Sequence, residues 1–246
     1  MNLLLKNLKN GLMNSIGEFN GLKILTGINT HPGSGPIESH KHEIELFKLI
    51  LDNVDNKNNP VMIEVGCYWA VWSLLFKQRY PSGKNILIEL GKRGLLVGEK
   101  NFEMNGFDYI SYHGGMFLES SGTFKNGSAD LEYDKSENID LVKFIPSIND
   151  DGVIGQELDF LKIYKDEKLD IVDVLHMDIQ GSELNLVESI SNLISDKKII
   201  SFVIATHSES IHIELIRKLY YSGYDIKINE AYGSIGGDGF IYAILK

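Results

Sequence analysis

Val61-Met62-Ile63-Glu64-Val65-Gly66-Cys67-Tyr68-Trp69-Ala70-Val71-Trp72-Ser73 reads as a buried strand, a glycine turn and the start of a helix. The apolar run ends with one acid, Glu64. Gly66 can take a positive φ and lets a ligand approach the backbone. The helix that follows aims N–H groups and its dipole at any anion docked there, which suits a carboxylate. The first crossover of any α/β protein also favours glycine after a strand, so both readings stay open on this segment alone.

Outward from this segment, strands alternate with helices. Strands are predicted over 61–65, 85–89, 109–113, 172–178 and 199–206, with helices over 69–79, 95–105, 156–164, 183–193 and 210–222. The run 171–177 is apolar at nearly every position, as a central parallel strand should be. Two last strands, 225–229 and 240–245, flank a loop containing Gly233, Gly236, Gly237 and Gly239 and should pair as an antiparallel hairpin. The expected fold is α/β: a Rossmann-like, seven-stranded, mostly parallel sheet with a C-terminal antiparallel hairpin and helices on both faces. Residues 114–150 break the rhythm with a Gly/Ser/Asp-rich stretch and a strand-like piece at 139–145. A segment that long inside a domain is usually functional.

The N-terminal part differs. Residues 1–20 read as a helix ending near Gly17, 21–38 as loop, and a helix starts at Ser39 or His40 with Ile44, Leu46, Phe47, Ile50 and Leu51 at helical spacing. A polar linker runs from 52 to 60. The expected division is an extension over 1–59, serving as a substrate cap, and one domain over 60–246. The apolar start is broken at Lys6, too short for a signal sequence or a membrane span. It should be an amphipathic helix that packs on the domain or on another subunit, the latter giving a homo-oligomer, with a membrane-surface helix as the alternative.

The 246 residues carry a formal net charge of −10. Nucleic-acid binding calls for a basic face, so the expected partner is a small molecule rather than nucleic acid. Cys67 is the sole cysteine, which excludes an intrachain disulfide and a thiolate-rich zinc site and fits a cytoplasmic location.

The chemistry sits at strand ends. Glu89 closes the second strand, where a carboxylate can accept hydrogen bonds from vicinal ribose hydroxyls or simply be solvated. The G-x-G-x-x-G fingerprint is absent because position 68 is Tyr, so a pyrophosphate has no glycine cradle. One nucleoside without phosphates fits better. Asp178 lies at the C-terminal edge of the central strand, where it could order a substrate hydroxyl or act as base. His207 lies at the end of the next, where it could accept a proton or serve as a hydrogen-bonded rim residue. Glu183 could stabilise a helix N-terminus. Trp69 and Trp72 read as core or as cofactor packing. His176, Asp178 and His207 raise the thought of a divalent ion, but alternation sets His176 one repeat deeper, and no metal is expected.

Three segments resemble the FkbM family of class I S-adenosylmethionine-dependent methyltransferases, together spanning roughly residues 60–246. They are 63–73, Leu175-His176-Met177-Asp178-Ile179-Gln180-Gly181-Ser182-Glu183, and Phe202-Val203-Ile204-Ala205-Thr206-His207-Ser208 with the later Ser222-Gly223-Tyr224. The resemblance implies S-adenosyl-L-methionine as cofactor, bound by Glu64, Gly66, Tyr68, Ala70, Ser73, Glu89 and Met116. It implies methyl transfer to a hydroxyl of a sugar or secondary metabolite, with Asp178 and His207 as catalytic residues. The chain departs from the family pattern at Ala70, His176 and Gln180, and His113-Gly114-Gly115-Met116 stands where many relatives carry an adenine-contacting acid. A non-catalytic cofactor-binding module and a nucleotide-linked oxidoreductase remain as alternatives.

Overall fold

The computed structural model describes residues 15–26, 41–55, 58–116, 156–235 and 237–246. In chain order the elements are β1 (Ser15–Phe19), β2 (Leu22–Thr26), α1 (Lys41–Asp52), β3 (Val61–Val65), α2 (Val71–Arg79), β4 (Lys84–Glu89), α3 (Lys92–Asn105) and β5 (Ile110–Gly115). They continue with β6 (Gln156–Glu157), α4 (Phe160–Asp166), β7 (Val174–Met177), α5 (Glu183–Ser189), α6 (Ser191–Ser195), β8 (Ser201–Thr206), α7 (Glu209–Tyr221), β9 (Tyr224–Ile235) and β10 (Asp238–Leu245).

The main sheet has the order β6-β5-β4-β3-β7-β8-β10-β9. Strands β3 to β8 pair in parallel, and β10 runs antiparallel to both β8 and β9. Seven strands of four residues or more thus form the expected mostly parallel sheet with its C-terminal hairpin, and the two-residue β6 adds an edge. Alternation divides the core. Ile63, Val65, Ile86, Ile88, Leu175 and Met177 face one layer; Met62, Leu87, Val174 and Val203 face the other, where Phe47 of α1 and Leu74 of α2 pack. No helix among the described residues is long and apolar enough to cross a membrane.

Several elements differ from expectation. Residues 15–19 are a strand, not the end of a helix, and 22–26 are a strand, not loop. Asn20 (φ 49) and Gly21 (φ 79) both sit in the left-handed region, the requirement of a two-residue hairpin turn that Asn-Gly meets well. Leu22, Ile24 and Leu25 are buried, and the Lys23 and Leu25 N–H groups donate to Asn105 and Asn101 of α3.

The helix expected over 156–164 starts at 160, because Asp159 caps it by accepting from Leu161 and Lys162 N–H. Residues 156–157 extend beside β5 instead. The helix expected over 183–193 breaks at Ile190. The glycine loop of the last hairpin is shorter than expected: β9 continues to Ile235, and Gly237 (φ 109) turns the chain. The expected helix over 1–14, the loop over 27–38, and most of the 114–150 stretch with its strand-like 139–145 lie outside the described residues.

Candidate functional site

The turn after β3 is built from left-handed residues. Gly66 (φ 79), Tyr68 (φ 43) and Ala70 (φ 60) all have positive φ, so α2 starts at Val71 rather than at 69. Gly66 has no alternative: a Cβ there would lie 1.8 Å from Asp178 O. The turn is held from β4, where Gly66 and Cys67 N–H both donate to Ile88 O at 2.9 and 3.1 Å. It is held from α3 as well, where Asn101 Nδ2 donates to Trp69 O. Gly94 and Gly98, one turn apart on α3, let that helix approach: added Cβ atoms would meet the Tyr68 ring at 2.8 Å and Tyr68 O at 3.0 Å. Non-glycine residues in this region cost about 1 kcal/mol or more each and persist where surroundings enforce them, commonly at functional sites.

Glu89 meets this turn from the end of β4. Its Oε2 accepts Tyr68 N–H at 2.7 Å and its Oε1 accepts Gly91 N–H at 2.8 Å. Met116, directly after β5, is buried in the first core layer.

Behind the turn lie Glu64 and Ser73, which are fully buried, as is Ala70 within the turn itself. Glu64 Oε2 accepts Ser73 N–H, and Ser73 Oγ accepts from Asn85 Nδ2. Burial pushes the Glu64 carboxyl up to about 8, against the hydrogen bonds from Ser73. Its β7 register partner is His176, whose Nδ1 is 4.0 Å from Glu64 Oε1. Burial pushes that imidazole down to about 4, and its ring lies 5.5 Å from Trp72 and 6.1 Å from Phe47, centroid to centroid. At neutral pH both groups are therefore uncharged. Cys67 is buried as well, and burial pushes its thiol well up, which makes it an unreactive packing residue.

The second half of the site forms at the ends of β7 and β8. Asp178 N–H donates to Val65 O. Gln180 (φ 52) and Gly181 (φ 101) then turn the chain so that Glu183 folds back. Glu183 is fully buried, and its Oε1 accepts from Ile179 N–H, Gly181 N–H and His207 Nδ1 at 3.2, 3.0 and 2.7 Å. His207 Nε2 lies 3.2 Å from Asp178 Oδ1 and 3.8 Å from Asp238 Oδ1, at ion-pair distance but without hydrogen-bond alignment. Burial works against a charge on His207, yet the Asp178 and Glu183 carboxylates outweigh it and raise the imidazole to about 11.

The structure thus joins Gly66, Tyr68 and Glu89 at one place and Asp178 with His207 at another, along the same C-terminal sheet edge. Ala70 ends the turn, and Glu64 and Ser73 shape it from behind. His176 stands apart from Asp178 and His207, and among the described residues no group of three or more His, Cys, Asp or Glu is arranged to hold a metal ion. Sequence reading missed Asp238, which reaches the rim only because β10 runs back along β8 with Gly239 opposite Thr206. It also undervalued Glu183, whose buried clamp on His207 has no local sequence signal.

Among solved structures, the chain is similar to the methyltransferase domain of METTL16, with a TM-score of 0.54 and 13% identity, covering 92% of this chain and 73% of that one. It is also similar to a human methyltransferase 10 domain containing protein, with a TM-score of 0.52 and 12% identity, covering 92% of this chain and 88% of that one. At such identities the likeness is one of fold: a Rossmann-like methyltransferase fold. No family model and no curated protein matches the sequence.

Proposed function

We propose that this chain transfers a methyl group from S-adenosyl-L-methionine to a hydroxyl oxygen of a small acceptor, a sugar or secondary metabolite, as a member of the FkbM family. The observation that carries the reading is the meeting of Glu89 with the 66–70 turn, Tyr68 N–H on Glu89 Oε2 at 2.7 Å. An acid at the end of β4, facing a left-handed turn at the end of β3, presents acceptors for a ribose beside a close-approach backbone. The methyltransferase fold of the structural neighbours supports it. The family assignment rests on the 175–183 segment.

The residues fit such a donor by chemistry. Glu89, at the end of β4 beside the turn, supplies a carboxylate for the ribose hydroxyls, and Met116 offers apolar contact to a base. The Gly66, Tyr68 and Ala70 turn carries the donor's amino-acid end, with Glu64 and Ser73 fixing that turn from within. When bound, the donor supplies an electrophilic methyl carbon on a sulfonium. Asp178 stands at the edge between the two halves of the site and orders the acceptor hydroxyl. The sulfonium's positive charge is favoured by the acidic rim and by the chain's net charge of −10, which also disfavours a nucleic-acid acceptor. The chain's main contribution is to hold nucleophile and methyl group in line.

Calorimetric titration of the full chain with S-adenosylmethionine and with S-adenosylhomocysteine tests the reading. Saturable binding of both is expected. Absence of heat with either ligand, alongside binding of a nicotinamide dinucleotide, would sink it in favour of an oxidoreductase.

A further inference from the structure

Four ionisable side chains meet at the C-terminal ends of β7 and β8 and the start of β10, and their burial gives them different work. Glu183 is fully buried, and its Oε1 is occupied by two backbone N–H groups and by His207 Nδ1. It orients and has no access to an acceptor. The His207 side chain is 11% exposed and flanked by carboxylates at both ring nitrogens: Glu183 at Nδ1, Asp178 and Asp238 at Nε2. A histidine so flanked is an imidazolium, with a proton on each nitrogen and no lone pair to receive another. Asp178 is 38% exposed, with Gln180 Nε2 donating to its Oδ1 at 3.2 Å. Asp238 is the most open of the four, 46% exposed, and lies 3.8 Å from His207 Nε2. It is the first residue of β10, directly after the Gly237 turn, and so overlooks the rim from the hairpin.

We propose that Asp238 is the group that takes the acceptor's proton, while His207, clamped by Glu183, is a fixed cation that holds Asp178 and Asp238 toward the acceptor. This rests on the methyl-transfer reading above. The acceptor oxygen forms its bond to the methyl carbon as the carbon–sulfur bond of the sulfonium donor breaks. The electron pair of that bond stays on sulfur, and the hydroxyl proton passes to the Asp238 carboxylate. Charge balances: a cationic donor and an anionic Asp238 become a neutral thioether and a neutral carboxylic acid. Burial is the main cause that brings Asp238 up to about 6, with His207 pulling down and Asp178, Glu43 and Glu183 pushing up. A base poised near the working pH is the efficient one.

The test is nuclear magnetic resonance titration of the full chain, with carboxyl carbons and imidazole nitrogens labelled. The Asp238 carboxyl signal is assigned by its loss in Asp238→Asn. Its midpoint should lie about two units above an ordinary aspartate, and His207 should remain imidazolium through neutrality. His207→Gln should move the Asp238 midpoint further up by about one unit or more, a change that a merely structural Asp238 would not show. A His207 that titrates near neutrality, or an Asp238 with an ordinary midpoint that His207→Gln leaves unmoved, overturns the proposal. On whichever of catechol, glycerol and D-glucose the wild type methylates, Asp238→Asn should lower kcat by about 10²-fold or more with the donor KM unchanged; an unchanged kcat also overturns it. Calorimetry with S-adenosylhomocysteine separates the two failures. If wild type binds none, the methyl-transfer reading falls; if wild type and Asp238→Asn bind alike and the titrations disagree with expectation, only the Asp238 assignment falls.

Discussion

Glu183 Oε1 lies 2.7 Å from His207 Nδ1 and accepts the N–H groups of Ile179 and Gly181 as well. One buried carboxylate oxygen therefore ties the left-handed loop after β7 to the end of β8. Replacing it by an amide keeps an acceptor but removes the charge that faces the imidazolium. Glu183→Gln should lower the His207 titration midpoint by about one unit or more and cost about 3 kcal/mol of stability. The sign follows from the raised histidine: its stabilisation is present in full below about 6.5, the ordinary value, and is lost as pH rises through about 11. Nitrogen-15 spectra of His207 and urea unfolding at neutral pH read the two effects. An unmoved midpoint would show that Glu183 does not set the charge.

Glu64 and His176 are register partners on β3 and β7 that burial shifts in opposite directions. Folded Glu64 keeps its proton to about 8, whereas the unfolded carboxyl loses it near 4.5, so its contribution to stability falls as pH rises between those values. His176 acts the other way from about 4 to 6.5, because there the unfolded state binds the extra proton. The two oppose each other up to about 6.5. Above that, Glu64 and His207 both lower stability with rising pH. Glu64→Gln removes one of these slopes, so the variant should gain on the wild type by about 1 kcal/mol per pH unit between about 6.5 and 8. Urea unfolding at both ends of that window measures it, and a constant difference between the two proteins would refute the buried-acid account.

The parts that were legible in the sequence are those set locally. The Gly66 turn announced itself because a strand, a glycine and a helix start lie within thirteen residues, and the depth of His176 followed from alternation. The Asn20-Gly21 hairpin was also legible in principle, since both residues take the left-handed conformation, but its short polar-flanked strands lacked a clear period of two. Asp238 was not legible. Its position depends on β10 returning antiparallel beside β8 across more than thirty residues of chain. Nor was the state of Glu64, because its burial is produced by α2 and the sheet rather than by its neighbours in sequence.

Gly66 and Ala70 share a left-handed backbone but differ in room. At Gly66 a Cβ would lie 1.8 Å from Asp178 O and 3.1 Å from Ile179 Cγ2, and the first clash is with backbone that cannot rotate away. Ala70 already carries its methyl, packed beside Gly98 of α3. Gly66→Ala should therefore cost more than about 3 kcal/mol or prevent folding. Ala70→Gly should stay within about 1 kcal/mol of the wild type, because relief of left-handed strain offsets the lost methyl and the freer unfolded chain. Chemical denaturation of both variants gives the comparison. Equal losses would mean that the turn is limited by strain and not by the approach of β7.

Glu89 holds the turn through Tyr68 N–H and Gly91 N–H, so a weakened ligand affinity in a Glu89 variant has two explanations. They separate with a ligand that lacks the ribose hydroxyls. Glu89→Ala should weaken S-adenosylhomocysteine by about tenfold or more, in line with the loss of hydrogen bonds to a charged group. It should weaken the 2′,3′-dideoxy analogue much less, because that analogue has already lost the contact. Calorimetry of both ligands on both proteins forms a double-mutant cycle. If Glu89→Ala lowers the two affinities equally, the carboxylate acts by shaping the 66–70 turn, and the ribose assignment is withdrawn.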